Sequence, residues 1–175
     1  MIEHCKIAEY ARCATTEVFS TMFGMEIAPM PEHLDQTPPM ISDGVMALVG
    51  FAGTYTGAGV VTCDAKFAIQ ICNRFLMSEE TSVNEDVLDA MGELANMAVG
   101  NFKTMIENDL GPIGLSIPTV IYGRNFTSRS VGSNDWVVVP FEYDGDVLEI
   151  RICLAPAKNT FAQRAELLNP TASAI

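Results

Sequence analysis

Across residues 4–23, HCKIAEYARCATTEVFSTMF, the apolar positions recur at helical spacing. On a repeat of about 3.6 residues, Ile7, Tyr10, Ala11, Ala14, Val18 and Met22 share one face, and Gly24 follows where a left-handed stop belongs. The pattern then breaks. Residues 25–43 carry Pro29, Pro31, Pro38 and Pro39 and read as loop or edge structure. Runs at 44–53 and 57–64 read as strands, joined as a hairpin through Gly53-Thr54-Tyr55-Thr56-Gly57. Helical spacing returns over 65–77, with Asp64 as its N-cap.

A long helix is predicted from near Asn84 to Asn108 or Asp109, stopped by Gly111-Pro112. At about 100° per residue, Leu88, Met91, Ala95, Ala98, Phe102 and Ile106 form a stripe wide enough to seat it on a sheet. The opposite, solvent face collects Glu85, Asp89, Glu93, Asn96, Gly100, Lys103 and Glu107, with Gly92 at its margin. Strands follow at 115–123, 136–143 and 147–154. Asp144-Gly145 predicts a hairpin between the last two, and Pro118 implies an edge or a bulge in the first. The tail from 158 to 175 is set apart from a single domain over 1–157, with a short helix expected around Phe161 to Leu168.

The helix of 84–109 poses a question. A glycine inside a helix costs about 1 kcal/mol relative to alanine, yet Gly92 and Gly100 bracket the pair Glu93-x-x-Asn96. One reading is an ordinary solvated face with tolerated glycines. The other is that the glycines clear space for a second molecule to approach the backbone beside Glu93 and Asn96. A carboxylate and a carboxamide, with no serine, cysteine or histidine beside them, make a poor nucleophile set. They suit holding a cation and orienting a water.

Composition narrows the classes. With 175 residues and 49% hydrophobic content the chain can bury a real core. The longest nearly uncharged apolar stretch, GVMALVGFAG, is far short of the ~18 residues that span a bilayer. No continuous apolar run opens the chain as a secretory signal would, so a cytoplasmic, non-membrane protein is expected. Cys5, Cys13, Cys63, Cys72 and Cys153 are odd in number and lack C-x-x-C spacing, which favours reduced, mostly buried thiols over disulfides or zinc. His4 and His33 are the only histidines, too few for a multi-histidine metal site. A net charge of −12 excludes the basic footprint that nucleic acid requires.

The order of helix, strands, helices and strands suggests two related halves. Glu17-Val18-Phe19-Ser20 followed by Gly24 matches Glu93-Leu94-Ala95-Asn96 followed by Gly100.

Within DAMGELANMAVGNF…LSIPTVIYG, the chain resembles the CheC/CheX family of chemotaxis phosphatases, related to the flagellar switch protein FliY. That family's signature is an acidic or serine residue, a glutamate, an asparagine and a later proline. Asp89, Glu93, Asn96 and Pro118 stand at its spacings, and the matching element order extends the resemblance over residues 5–155. In the first helix Cys13, Glu17 and Ser20 replace the Asp, Glu and Asn of an intact copy. The resemblance is therefore to CheX, with one functional copy, rather than to CheC with two.

The resemblance implies an α/β (α+β) fold of two pseudo-symmetric halves sharing a sheet, with a strand of the first half inside 25–43, and a homodimer. It implies a phosphatase acting on the aspartyl phosphate of a CheY-like receiver domain. Asn96 would orient the attacking water, as a glutamine does in GTPases, and Glu93 would pair with the receiver's lysine. Asp89, Gly92, Gly100 and Lys103 would lie at the partner surface. Mg2+ would belong to the receiver, leaving this chain without a metal or cofactor of its own. Two other readings stay open: a non-catalytic module that binds a receiver or adaptor through the same helix, and a structural dimerising domain whose motif is accidental.

Overall fold

The predicted faces are borne out where local chemistry sets them, and shifted where packing does. The computed structural model describes residues 2–36, 40–127 and 135–157; the side chains of 40–42 and 127 are outside the description, as is the tail with its expected helix. Helix α1 spans His4–Val18 and buries Ile7, Ala8, Ala11, Ala14, Thr15 and Val18. It continues as a π-helical turn, Phe19–Phe23, ended by Gly24 at φ 60°. This wider turn moves the phase of the apolar face. Phe19 and Phe23 become buried, and Met22, expected on the core side, is 49% exposed.

The proline-rich stretch is not simply loop. It holds β1 (Ala28–Pro29) and β2 (His33–Asp35), and β3 (Met40–Gly53) begins before the expected position. Strand β4 (Tyr55–Asp64) leads into α2 (Ala65–Leu76), whose first turn is capped by the Asp64 carboxylate accepting from the Phe67 N–H at 2.7 Å. Helix α3 (Glu85–Leu110) precedes β5 (Ile113–Leu115), β6 (Thr119–Thr127), β7 (Trp136–Tyr143) and β8 (Asp146–Pro156). The single strand expected at 115–123 is thus two short ones. Pro118 lies in the break between them, where its missing N–H removes no ladder bond. Asp144 and Gly145, at φ 50° and 85°, make the last hairpin.

All described strands join one antiparallel sheet, ordered β1-β7-β8-β4-β3-β5, with β2 also on β7 and β6 also on β3. The order exposes the duplication. Strands β4 and β8 pair at the centre; β1 and β2 of the first half pair with β7 of the second, and β5 and β6 of the second pair with β3 of the first. Each half thus lends two strands to a strand of the other, so neither half closes the sheet alone.

The three helices cover one face, where Val45, Val61, Val139 and Ile150 join Phe67, Leu94 and Phe102 in the main core. Gly59 on β4 admits α3 closely: a β-carbon there would stand 2.7 Å from a Val99 methyl. The other face carries a smaller apolar cluster of Met46, Val60, Trp136, Val138 and Cys153. Beside it the buried Arg151 guanidinium reaches Asp35 at 3.1 Å and Glu149 at 2.9 Å, tying β2 to β8. Cys63, Cys72 and Cys153 are buried and outside any disulfide, but Cys5 and Cys13 are exposed.

Candidate functional site

Helix α3 is held at both ends. Asn84 accepts from the Val87 N–H at 3.1 Å and donates to Glu80 at 2.6 Å, while Glu85 and Asp86 place acid in the first turn, where the helix dipole favours it. At the far end the Glu107 carboxylate accepts from the Ile113 N–H at 2.8 Å and pairs with Lys103 at 2.9 Å. The Ile113 N–H, followed by Lys103, holds the Glu107 carboxyl below its ordinary value. Asp109 is bonded by Lys6 and Tyr10 of α1.

Between these anchors, Val87, Ala90, Met91, Leu94, Ala95, Ala98, Val99, Phe102 and Ile106 are buried. Asp89, Glu93 and Asn96 are exposed, as the spacing predicts. Among the described residues, these three side chains have no hydrogen-bond or ion-pair partner. Three surface depressions of about 310–340 Å³ are lined by other residues. The Glu93–Asn96 face is exposed and, among the described residues, its polar groups are unengaged, which suits it to entering a pocket on another molecule.

The remaining expected site residues divide. Gly92 is buried, and a β-carbon on it would lie 3.2 Å from Val120 Cγ2 and 3.9 Å from Pro118 Cβ. Its small size serves packing inside the molecule, which corrects the expectation that it faces a partner. Lys103 is half-buried and pairs with Glu107 one turn on along the same helix at 2.9 Å. Gly100 differs: it is half-exposed, and its nearest neighbour would be Leu115 Cδ1 at 4.0 Å. No packing requires a glycine there.

Sequence spacing alone could not reveal the segment Leu115–Pro118. It runs along α3 from Gly100, where Leu115 lies, to Gly92, where Pro118 lies. Asn96 is one turn from each glycine, so the segment passes beside it. Ser116 fixes this path by donating its N–H to the Gly50 carbonyl and accepting the Gly50 N–H on Oγ, at 2.9 and 2.8 Å.

In the first copy, Cys13 and Glu17 are exposed and Ser20 is half-exposed within the π turn. Ser20 Oγ and Thr21 Oγ1 both donate to the Glu17 carbonyl, at 3.2 and 2.7 Å. Its hydroxyl is thus engaged by its own helix, and the geometry of α3 is not reproduced.

Comparison with known proteins places the family match over α3 and not over α1. The family described as Chemotaxis phosphatase CheX matches residues 45–142, which include Glu93, Asn96 and Pro118. The CheY-P phosphatase CheX of Thermotoga maritima is 25% identical over 93 residues, 53% of this chain and 60% of that protein; the match thus spans less than two thirds of that relative. A chemotaxis protein CheX from Desulfovibrio desulfuricans superposes with a TM-score of 0.78 at 27% identity, covering 86% of this chain and 99% of that one. The CheX of a Borrelia burgdorferi CheX–CheY–BeF3–Mg2+ complex shares the fold, with a TM-score of 0.74 at 23% identity over 88% of this chain and 99% of that one. With one intact Glu-x-x-Asn face on α3 and a family match across it, the chain belongs to the CheX family of chemotaxis phosphatases.

Proposed function

We propose that this protein hydrolyses the aspartyl phosphate of a CheY-like response-regulator receiver domain, ending the signal that the phosphoryl group carries. The observation that carries the reading is the Glu93–Asn96 face: exposed, unengaged, and on a helix anchored at both ends. The Thermotoga relative is named a CheY-P phosphatase, and the Borrelia relative was solved with CheY, which supports a receiver as the partner.

Hydrolysis needs a water placed in line with the phosphorus–oxygen bond to the aspartyl group. Asn96 supplies this placement: its carbonyl oxygen accepts a water proton and its amide donates to a neighbouring oxygen. The amide is too weak a base to remove the proton, so its contribution is orientation, an effect that can be worth several powers of ten. The water oxygen bonds to phosphorus, the aspartyl oxygen leaves with the electron pair, and the displaced proton ends on phosphate or solvent. Glu93 pairs with the receiver's lysine and fixes the depth at which α3 enters. The receiver's Mg2+ neutralises phosphoryl charge and remains part of the substrate. Such a protein works in the cytoplasm, and association into a homodimer is its expected state.

The test is the decay of a phosphorylated CheY receiver with wild type, Asn96→Ala and Glu93→Ala. Acceleration by wild type, lost about 100-fold in Asn96→Ala, is the expected result. Binding without acceleration would replace this reading by a receiver-binding or adaptor module, and absence of both would remove it. Sedimentation of the same sample decides the homodimer.

A further inference from the structure

Ile117 is 85% exposed, although it sits in the middle of the segment that flanks the candidate site. Single exposed aliphatics are common on protein surfaces and by themselves imply nothing. Ile117 is distinguished by where and how it is held. Its two neighbours are fixed: Ser116 by paired bonds to Gly50, and Pro118 by packing near Gly92. The Ser116 hydroxyl also donates to the Ile117 carbonyl at 2.9 Å. Because Leu115 lies at the level of Gly100 and Pro118 at that of Gly92, Ile117 falls between them, near the level of Asn96. A branched side chain on a fixed backbone has few rotamers to lose on docking.

We propose that Ile117 is the apolar docking contact of this site: it rests on the apolar surface beside the receiver's phosphoaspartate pocket while Asn96 and Glu93 enter that pocket. The proposal rests on the receiver reading above and goes beyond it by naming a residue outside the Glu-x-x-Asn helix that sets affinity. Glu93 and Asn96 are polar and sacrifice hydration on entry, so affinity has to come from apolar area at the margin. Ile117 is an 85% exposed aliphatic group on the segment that runs along their helix, and Gly92 permits that segment to lie close to α3. Tyr122, on strand β6 that follows this segment and also exposed, extends the apolar margin. Ile117 positions the partner and takes no part in the bond changes.

Two measurements on the full chain test this: the Kd for a CheY receiver carrying beryllofluoride and Mg2+, and the kcat and KM for its phosphorylated form. Wild type, Ile117→Ser, Ile117→Leu and Asn96→Ala are compared, with thermal melts confirming that each folds. Ile117→Ser is expected to raise Kd and KM about tenfold, the equivalent of about 1.4 kcal/mol, with kcat unchanged. Ile117→Leu is expected to restore both, and Asn96→Ala to lower kcat while leaving Kd near wild type. Acceleration by wild type with a Kd indifferent to Ile117→Ser overturns the docking proposal alone. Ile117-dependent binding without any acceleration supports it and overturns the phosphatase reading alone. Failure of wild type to bind overturns both.

Discussion

Gly92 and Pro118 are packing partners across the boundary between α3 and the sheet edge: a β-carbon on Gly92 would lie 3.9 Å from Pro118 Cβ and 3.2 Å from a Val120 methyl. Residues that sequence spacing joins only as a motif are here in one contact layer. The contact predicts an asymmetry in substitutions. Gly92→Ala gains helix propensity but presses on Val120, so its stability should stay within about 1 kcal/mol of wild type. Gly92→Leu has no room and should cost roughly 1–3 kcal/mol in urea denaturation. Equal stability of the leucine variant and wild type would show that the segment yields freely.

Gly100 should behave in the opposite way. Among the described residues, nothing beyond its own stretch of helix comes closer than 4.0 Å to its missing β-carbon. Gly100→Ala should therefore stabilise the fold by about 0.5–1 kcal/mol, chiefly through the unfolded chain. Gly100→Leu should also fold, yet lose at least about tenfold in receiver dephosphorylation, because a large side chain beside Asn96 would meet the partner. A wild-type rate in that variant would remove the clearance role of Gly100.

The tie between α1 and α3 should make stability depend on pH in a defined sense. Hydrogen bonds from Lys6 and then Tyr10 hold the Asp109 carboxyl below its ordinary 3.8, and the bond to Asp109 holds Lys6 above 10.5. The folded carboxyl is the stronger acid, so its contribution is present above the unfolded value and is lost as pH falls through the folded one. The ammonium contribution is present below its unfolded value and lost as pH rises through the folded one. Melting temperatures of wild type and Asp109→Asn at low salt should differ at neutral pH and converge below the ordinary carboxylate range. A gap that persists unchanged in acid would assign the tie to packing.

Thiol labelling should separate the cysteines into two groups. Cys5 and Cys13 are exposed and should react promptly with a disulfide reagent in the native protein. Cys63, Cys72 and Cys153 are buried, and burial pushes the Cys63 thiol well up, so these three should react only on unfolding. Prompt labelling of more than two thiols would indicate that the core opens easily.

The candidate site was partly legible because its key features are local. A helix start near Asn84, Gly111 after the last turn, and Asp89, Glu93 and Asn96 on one exposed face follow from chain chemistry and helical repeat, which act within a few residues. The burial of Gly92 was not legible, for one reason. A helical wheel shows which residues share a face, but not which neighbour lies against its margin.

The sequence by itself determined the main helices, the two hairpins, the Asp64 cap and the face that carries Glu93 and Asn96, because propensity, periodicity and glycine conformations are short-range. Tertiary structure alone decided that strands of each half pair with β3 or β7 of the other, that a π turn rotates Met22 outward, and that the Leu115–Pro118 segment runs along α3. Those outcomes depend on pairings between residues far apart in the chain, where the free energy lies in burial and sheet register rather than in any residue's own preference.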